Sequence, residues 1–242
     1  MTFTVLPAAT CGNTYRRPRT PTTLPDMSPL VTRLFATHDQ FVATRPPGAD
    51  EDVHMIPAIV DHVISTLSAP GDLVLDPFAG FGTTLARAVA SGRRAAGVEL
   101  LPERVAHIRR AVPSASTIEG DARSLSLLID APVHLILSSP PYMTITHHEA
   151  DPLTAYEHDG GDYARYLREL GLVAAQCAEL LVPGGHLVWN VADILHEGDH
   201  TPLIDDCARV LSSHLEQVGV VEISWDRLPH DLTRDALLVF RR

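Results

Sequence analysis

The fold is decided by the stretch Leu73-Val-Leu-Asp-Pro-Phe-Ala-Gly-Phe-Gly-Thr-Thr84, in which a short apolar run is followed at once by a glycine-containing turn. A continuous apolar run of this length is typical of a strand that is buried on both faces of a parallel sheet. Gly80 and Gly82 allow the backbone to turn tightly and a ligand to approach it closely. Ligands of open parallel sheets bind beyond the carboxyl ends of the strands, so the stretch predicts a cofactor loop.

Helical and strand patterns alternate on both sides of this stretch. Strands are predicted at about 73–75, 95–98, 116–118, 134–137, 186–191, 218–223 and 236–240, and helices at about 56–67, 83–90, 102–111, 163–181 and 201–214. Such alternation predicts an α/β fold with a doubly wound, mostly parallel sheet of seven strands. Residues 52–242 are predicted to form this domain, and the Pro- and Thr-rich residues 1–51 an irregular arm with one short helix between Ser28 and His38.

Carboxylates follow the next two predicted strands. Glu99 lies about 20 residues beyond the glycine turn, where an acidic side chain can accept hydrogen bonds from both ribose hydroxyls. Asp121 can accept a hydrogen bond from an adenine amino group. The alternatives are a solvated side chain at a strand end for Glu99 and a helix N-cap for Asp121.

The most specific string is Ser138-Ser-Pro-Pro-Tyr142, directly after the fourth predicted strand. Two consecutive prolines cannot continue a central β-ladder, so the carbonyl groups here have no regular partners. These carbonyls and the Ser139 hydroxyl can accept hydrogen bonds from an amino group, while the Tyr142 ring can stack on a base. The alternative is a turn that only ends the strand.

These strings resemble the S-adenosylmethionine-dependent amino-methyltransferases, chiefly the DNA methyltransferases that act on exocyclic amines. The resemblance extends over about residues 52–242 and implies a Rossmann-like methyltransferase fold with S-adenosylmethionine as cofactor. His54 to Pro57 resembles the segment that lines the methionine end of the cofactor. The implied cofactor-binding residues are Asp76, Pro77, Phe78, Ala79, Gly80, Gly82, Thr83, Glu99, Leu100, Asp121 and Ala122, and the implied catalytic residues are Ser139, Pro140, Pro141 and Tyr142.

The resemblance also implies the target, because Ser at the first position of the catalytic string is associated with cytosine N4 and Asp or Asn with adenine N6. The expected reaction is therefore methylation of cytosine N4 in DNA, as in restriction–modification. The open alternatives are adenine N6, an RNA base amine, a small-molecule or peptide amine, and a non-catalytic cofactor-binding subunit. Nucleic acid is the expected partner, DNA before RNA, although a net charge of -11 weighs against it.

Other features bear on partners and location. Arg16, Arg17 and Arg19 are expected to contact nucleic acid or to form a solvated tail, and the loop 143–162, with His147, His148, Tyr156 and His158, could cover the substrate. No metal site is expected. Three scattered cysteines form no disulfide framework, and we find neither a secretory signal nor a membrane span, so a cytoplasmic location is expected.

Overall fold

The computed structural model describes residues 31–46, 54–145, 151–154 and 161–242. Its strands are β1 (Arg33–Ala36), β2 (Leu73–Asp76), β3 (Arg94–Glu99), β4 (Ser116–Glu119), β5 (Val133–Ser138), β6 (Leu181–His196), β7 (Asp199–Thr201), β8 (Glu216–Trp225) and β9 (Leu232–Arg241). Its helices are α1 (His38–Ala43), α2 (Pro57–Leu67), α3 (Thr83–Ala90), α4 (Pro102–Ala111), α5 (Leu125–Leu128), α6 (Tyr163–Leu180) and α7 (Leu203–Ser212).

The strands form one sheet in the order β1-β8-β9-β6-β5-β2-β3-β4, with β7 paired to β6. β9 runs antiparallel to both of its neighbours, and β7 is antiparallel to β6, whereas the other pairs are parallel. The chain moves outward in one direction from β2 and in the other from β5, so the topological switch point lies between these two strands. The predicted doubly wound, mostly parallel α/β fold is confirmed, and the predicted ligand position lies at this switch point.

The predicted count of seven strands is wrong, because the described residues contain nine. One additional strand, β7, forms a hairpin with β6, which continues to His196 instead of ending at Val191. The other, β1, pairs in parallel with β8 and lies where the sequence predicted a helix between Ser28 and His38. In this segment Leu34 and Ala36 point inward while Arg33 and Phe35 point outward, an alternation of period two that belongs to a strand.

The helix of this region starts later than predicted. Thr37 caps α1, its hydroxyl accepting the Gln40 N–H while the Gln40 side chain accepts the Thr37 N–H. This capping box satisfies two of the backbone donors that the first turn leaves unpaired.

Both faces of the sheet are covered. On one face α6 and α7 pack over the sheet around the fully buried side chains of Trp189, Tyr166 and Phe240. On the other face α2, α3 and α4 pack on a second apolar cluster, which also receives Phe41 from α1. Burial on both faces explains why the central strands are apolar without interruption. No helix among the described residues has both the length and the apolar character that a membrane crossing requires.

Gly97 in β3 is where the sheet and the glycine turn come closest. A Cβ atom built there would lie 2.8 Å from a methyl group of Leu85 in α3 and 2.9 Å from the Cβ of Ala79 in the turn. Both distances are too short for carbon atoms, so the close fit of the turn against β3 requires glycine at this position.

We expect Gly97→Ala to lower the free energy of unfolding by about 1–3 kcal/mol, because the added methyl group overpacks a tightly filled contact. Denaturant unfolding monitored by circular dichroism measures this. The matched control is Gly171→Ala in α6, where the nearest atom would lie at 3.7 Å. In that helix the change should be neutral or stabilising, so equal destabilisation by both variants would contradict the prediction.

Candidate active site

A cavity of about 520 Å³ opens at the switch point, where the loops after β2, β3, β4 and β5 meet. Its size falls within the range of pockets that hold small molecules and cofactors. All but one of the predicted cofactor-binding and catalytic residues line it: Asp76, Pro77, Phe78, Ala79, Gly80, Thr83, Glu99, Leu100, Asp121, Ala122, Ser139, Pro140, Pro141 and Tyr142. The exception is Gly82, which begins α3 with a φ of 84° and packs against Ile108, so its place is in the turn itself.

Asp76 ends β2 and is 3% exposed. One of its carboxylate oxygens, Oδ1, accepts the Phe78 N–H at 3.1 Å and the Ser138 hydroxyl at 2.5 Å. Burial raises the pKa of Asp76 to about 6, although both hydrogen bonds oppose the shift. Since Ser138 ends β5, this buried contact joins the first residues of the glycine turn to the first residues of the double-proline turn.

Glu99 at the end of β3 holds the glycine turn from the other side. Its Oε2 accepts the Gly80 N–H at 2.7 Å and its Oε1 accepts the Leu101 N–H at 2.9 Å. Burial raises the pKa of Glu99 while these two bonds oppose the shift. A carboxylate offers about four acceptor positions, so the side chain keeps capacity for ribose hydroxyls. Its bond to Gly80 was not foreseen from the sequence.

Asp121 is the N-cap of a short 3₁₀ turn at Ala122–Ser124, as the alternative interpretation held. Its side chain accepts the Arg123 N–H at 2.8 Å and forms an ion pair with the Arg123 guanidinium at 2.6 Å. Arg123 also pairs with Glu169 of α6 at 2.8 Å. The contact of Asp121 with an adenine amino group remains a prediction.

The hydroxyl groups of the double-proline turn form a directed chain. The Tyr142 hydroxyl donates to the Asn190 carbonyl at 3.2 Å, and the Ser139 hydroxyl lies 3.3 Å from the Tyr142 oxygen. A carbonyl oxygen can only accept a hydrogen bond, so the Tyr142 hydroxyl donates its proton to the Asn190 carbonyl. The Ser139 hydroxyl then donates its proton to the Tyr142 oxygen. Ser139 Oγ therefore presents only lone pairs to the cavity. Tyr166 completes the support by donating to the Pro141 carbonyl at 2.9 Å.

Behind this chain lies a polar cluster that sequence reasoning missed. Asn190 Nδ2 donates to Asp235 Oδ1 at 2.6 Å, and Trp225 Nε1 donates to Asp235 Oδ2 at 2.9 Å. Burial raises the pKa of Asp235 to about 6, and burial together with the nearby Asp235 charge raises the pKa of Tyr142 well above its ordinary value. The sequence did contain a signal for this cluster, because Asn190 and Asp235 are polar residues inside the apolar strands β6 and β9, and buried polar groups need partners.

The rest of the cavity is formed by His54 and Met55, from the segment predicted to line the methionine end of the cofactor, and by segments that the sequence did not single out. It is lined by Pro46, His54, Met55, Pro152, Leu153, Ile194, His230, Asp231 and Leu232. His54 stacks on Phe41 of α1 with ring centres 4.5 Å apart. The predicted contacts of Arg16, Arg17 and Arg19, and of His147, His148, Tyr156 and His158, lie outside the described residues.

Comparison with known proteins finds a family match in the segment that carries the glycine turn. Residues 55–110 match the family model for N6 and N4 methyltransferases, described as DNA methylase. A segment of 46 residues is 52% identical to the DNA adenine methyltransferase YhdJ of Escherichia coli (strain K12). This match covers 19% of the chain and 16% of the relative, so the chain spans about a sixth of the curated protein it matches.

Solved structures share the fold. TrmN from Thermus thermophilus matches with a TM-score of 0.56 and 17% identity, covering 78% of this chain and 49% of that one. A methyltransferase from Pyrococcus furiosus matches with a TM-score of 0.55 and 14% identity, covering 83% and 92%. The magnesium protoporphyrin IX methyltransferase ChlM from Synechocystis PCC 6803, solved with bound S-adenosylmethionine, matches with 0.52 and 15% identity, covering 77% and 79%.

The strand order of the sheet, the cavity at its switch point and the family match over the glycine turn agree with one another. They agree with the resemblance to S-adenosylmethionine-dependent methyltransferases that the sequence predicted. Residues 55–110 of the chain are thus similar to the N6/N4 DNA methylases, and the chain shares its fold with S-adenosylmethionine-dependent methyltransferases.

Proposed function

We propose that this protein transfers a methyl group from S-adenosylmethionine to the exocyclic amine of a nucleic acid base, with cytosine N4 in DNA as the target. The observation that supports it is the directed hydroxyl chain, which leaves Ser139 Oγ as an acceptor beside the cavity. An amino group brings N–H donors and fits such a site. An oxo group in the same place would leave two acceptors facing each other.

The chemistry follows from this arrangement. Bound S-adenosylmethionine supplies a methyl group on a sulfonium, which is already a good electrophile. The task of the protein is then to position and desolvate the amine. Ser139 Oγ and the Pro140 carbonyl accept hydrogen bonds from its two N–H groups. This favours a pyramidal nitrogen whose lone pair is available for in-line attack.

The target base of a nucleic acid must enter the cavity to bring its amino group to Ser139. If the substrate is a duplex, the base has to leave the stack, and the Tyr142 ring is the proposed stacking surface. The lining of the cavity also includes Pro46, His54, Ile194 and Leu232. These groups suit a flat base.

Adenine N6 is the second candidate, because the curated relative that matches the glycine turn is an adenine methyltransferase. Incubation with labelled S-adenosylmethionine and separate DNA and RNA acceptors, followed by nucleoside mass spectrometry, decides between them. N4-methylcytosine in DNA supports the proposal. N6-methyladenine as the product would replace the target, and label in RNA alone would replace the substrate class.

The role of the Tyr142 hydroxyl can be separated from that of its ring. We expect Tyr142→Phe to lower kcat by about tenfold with little change in KM, because the ring stays while the Ser139 proton loses its acceptor; a lost hydrogen bond of about 1–1.5 kcal/mol gives this factor. Tyr142→Ala should also raise KM for the base, because stacking is lost. Steady-state kinetics measure both, and a Tyr142→Phe variant as active as the parent would show that the hydroxyl chain has no role.

The carboxylate of Glu99 should matter for cofactor affinity. Glu99→Gln places an amide NH₂ against the Gly80 or Leu101 N–H, so the turn loses a hydrogen bond to a charged acceptor, worth about 1.5–3 kcal/mol. We expect the Kd for S-adenosylhomocysteine to rise about tenfold or more by calorimetry. The control is Glu119→Gln at the exposed end of β4, whose Kd should equal that of the parent. Equal affinity of all three proteins would rule out the assigned role of Glu99.

A further inference from the structure

A second, much smaller cavity lies behind the double-proline turn. Its volume of about 20 Å³ is enough for one water molecule. It is lined by Phe41, His54, Ile56, Ile59, Ser139, Tyr142, Asn190, Trp225, Pro229, Leu232 and Asp235. Three of these residues, Ser139, Tyr142 and Asp235, offer oxygen atoms that a water could bond, which is the number of partners that buried waters typically have.

Asp235 is the one carboxylate among the described residues that line this cavity. It is 7% exposed, and its two oxygens accept the Asn190 and Trp225 side-chain donors. The backbone N–H of Ala236 donates a further hydrogen bond to the carboxylate. Since a carboxylate has about four acceptor positions, one position remains for a water. Asp235 plays no part in the mechanism described above, although it shares this cavity with Ser139.

We propose that Asp235 is the proton acceptor of the methyl transfer and that a water in the small cavity connects it to Ser139. This inference rests on the proposed function. It extends that function by naming the group that receives the proton of the amine. Ser139 touches the amine directly, whereas Asp235 acts through Ser139 and the water.

The amine loses one proton when it gains the methyl group. The amine nitrogen uses its lone pair to bond the methyl carbon, while the bond between sulfur and that carbon breaks and its electron pair stays on sulfur. The nitrogen then carries one proton too many. That proton moves to Ser139 Oγ, while the serine hydroxyl turns from Tyr142 to the water and releases its own proton there, and a water proton moves to the Asp235 carboxylate. The products are the neutral methylated amine, the thioether and a protonated Asp235, which returns its proton to solvent between turnovers.

A proton acceptor must be ionised at the start of the cycle. Burial raises the pKa of Asp235 to about 6, and the hydrogen bonds from Trp225 and Asn190 keep it from rising further. The titratable groups that share its cavity are Tyr142, whose pKa is raised so that it stays protonated, and His54, whose pKa is lowered by burial. The activity should therefore fall as the pH drops through about 6.

The first test needs no activity. The Trp225 indole N–H donates to Asp235, so its NMR resonance reports the ionisation of that carboxyl in the protein without cofactor. We expect it to titrate near pH 6 in the parent and to stay constant in Asp235→Asn. The indole of Trp189, buried in the core with no hydrogen-bond partner among the described residues, is the internal reference. A Trp225 resonance that does not titrate between pH 4.5 and 8 would overturn the proposal.

The second test uses kinetics. Asp235→Asn should lower kcat about 10²-fold, the scale of a lost general base, with the Kd for S-adenosylhomocysteine unchanged and the acidic limb gone. Trp225→Phe keeps the carboxyl but removes a bond that lowers its pKa, so the acidic limb should move to higher pH. This second variant keeps the proposal testable if Asp235→Asn does not fold. A limb that stays in place in Trp225→Phe contradicts the proposal.

Two controls complete the design. Asp206→Asn changes another buried carboxylate, bonded by Tyr163 and away from both cavities, and should keep the parental pH profile. The pKa of Asp76 is also about 6, so the Kd for S-adenosylhomocysteine is measured over the same pH range to separate binding from turnover. If the parent methylates no base amine, the proposed function fails. If the parent methylates and Asp235→Asn matches it, only the present inference fails.

Discussion

The site depends on the hydrogen bond by which Ser138 at the end of β5 donates to Asp76 at the end of β2. These are adjacent parallel strands, and the two turns that carry the predicted cofactor and catalytic residues start from them. The contact is buried and involves a carboxylate, so loss of either partner would leave a polar group without compensation in the core. One bond thus keeps the glycine turn and the double-proline turn on the same cavity.

A second constraint makes Ser139 Oγ a hydrogen-bond acceptor towards the cavity. The Asn190 carbonyl can only accept, and this fixes the direction of both hydroxyl protons in the chain from Ser139 through Tyr142. The orientation of a serine hydroxyl is thus set by the backbone of a neighbouring strand. Asp235 holds the Asn190 side chain at the same point, so the strands β6 and β9 support the turn after β5.

The sequence allowed most of the central sheet to be predicted, because strands buried on both faces are continuous apolar runs. The helices between them show apolar residues at helical spacing. α4 was placed at its observed bounds, Pro102–Ala111. The edge was harder: Leu30, Val31, Leu34 and Phe35 fall on one face of a helix, and only the pairing with β8 shows that residues 33–36 form a strand. In the site, local strings identified the turns, whereas Asn190, Trp225 and Asp235 meet only through the antiparallel pairing of β6, β8 and β9.

The position of β1 also bears on how the chain can be divided. β1 covers the outer side of β8, and the Arg33 guanidinium pairs with Glu222 across that contact at 2.7 Å. A shortened version that starts at residue 52 would bare the backbone donors and acceptors of β8 from Glu222 to Trp225, next to Val218 and Val220, which are already exposed. Such an edge is a template for joining other molecules edge to edge, so fragments for crystallisation or binding work should begin ahead of Arg33.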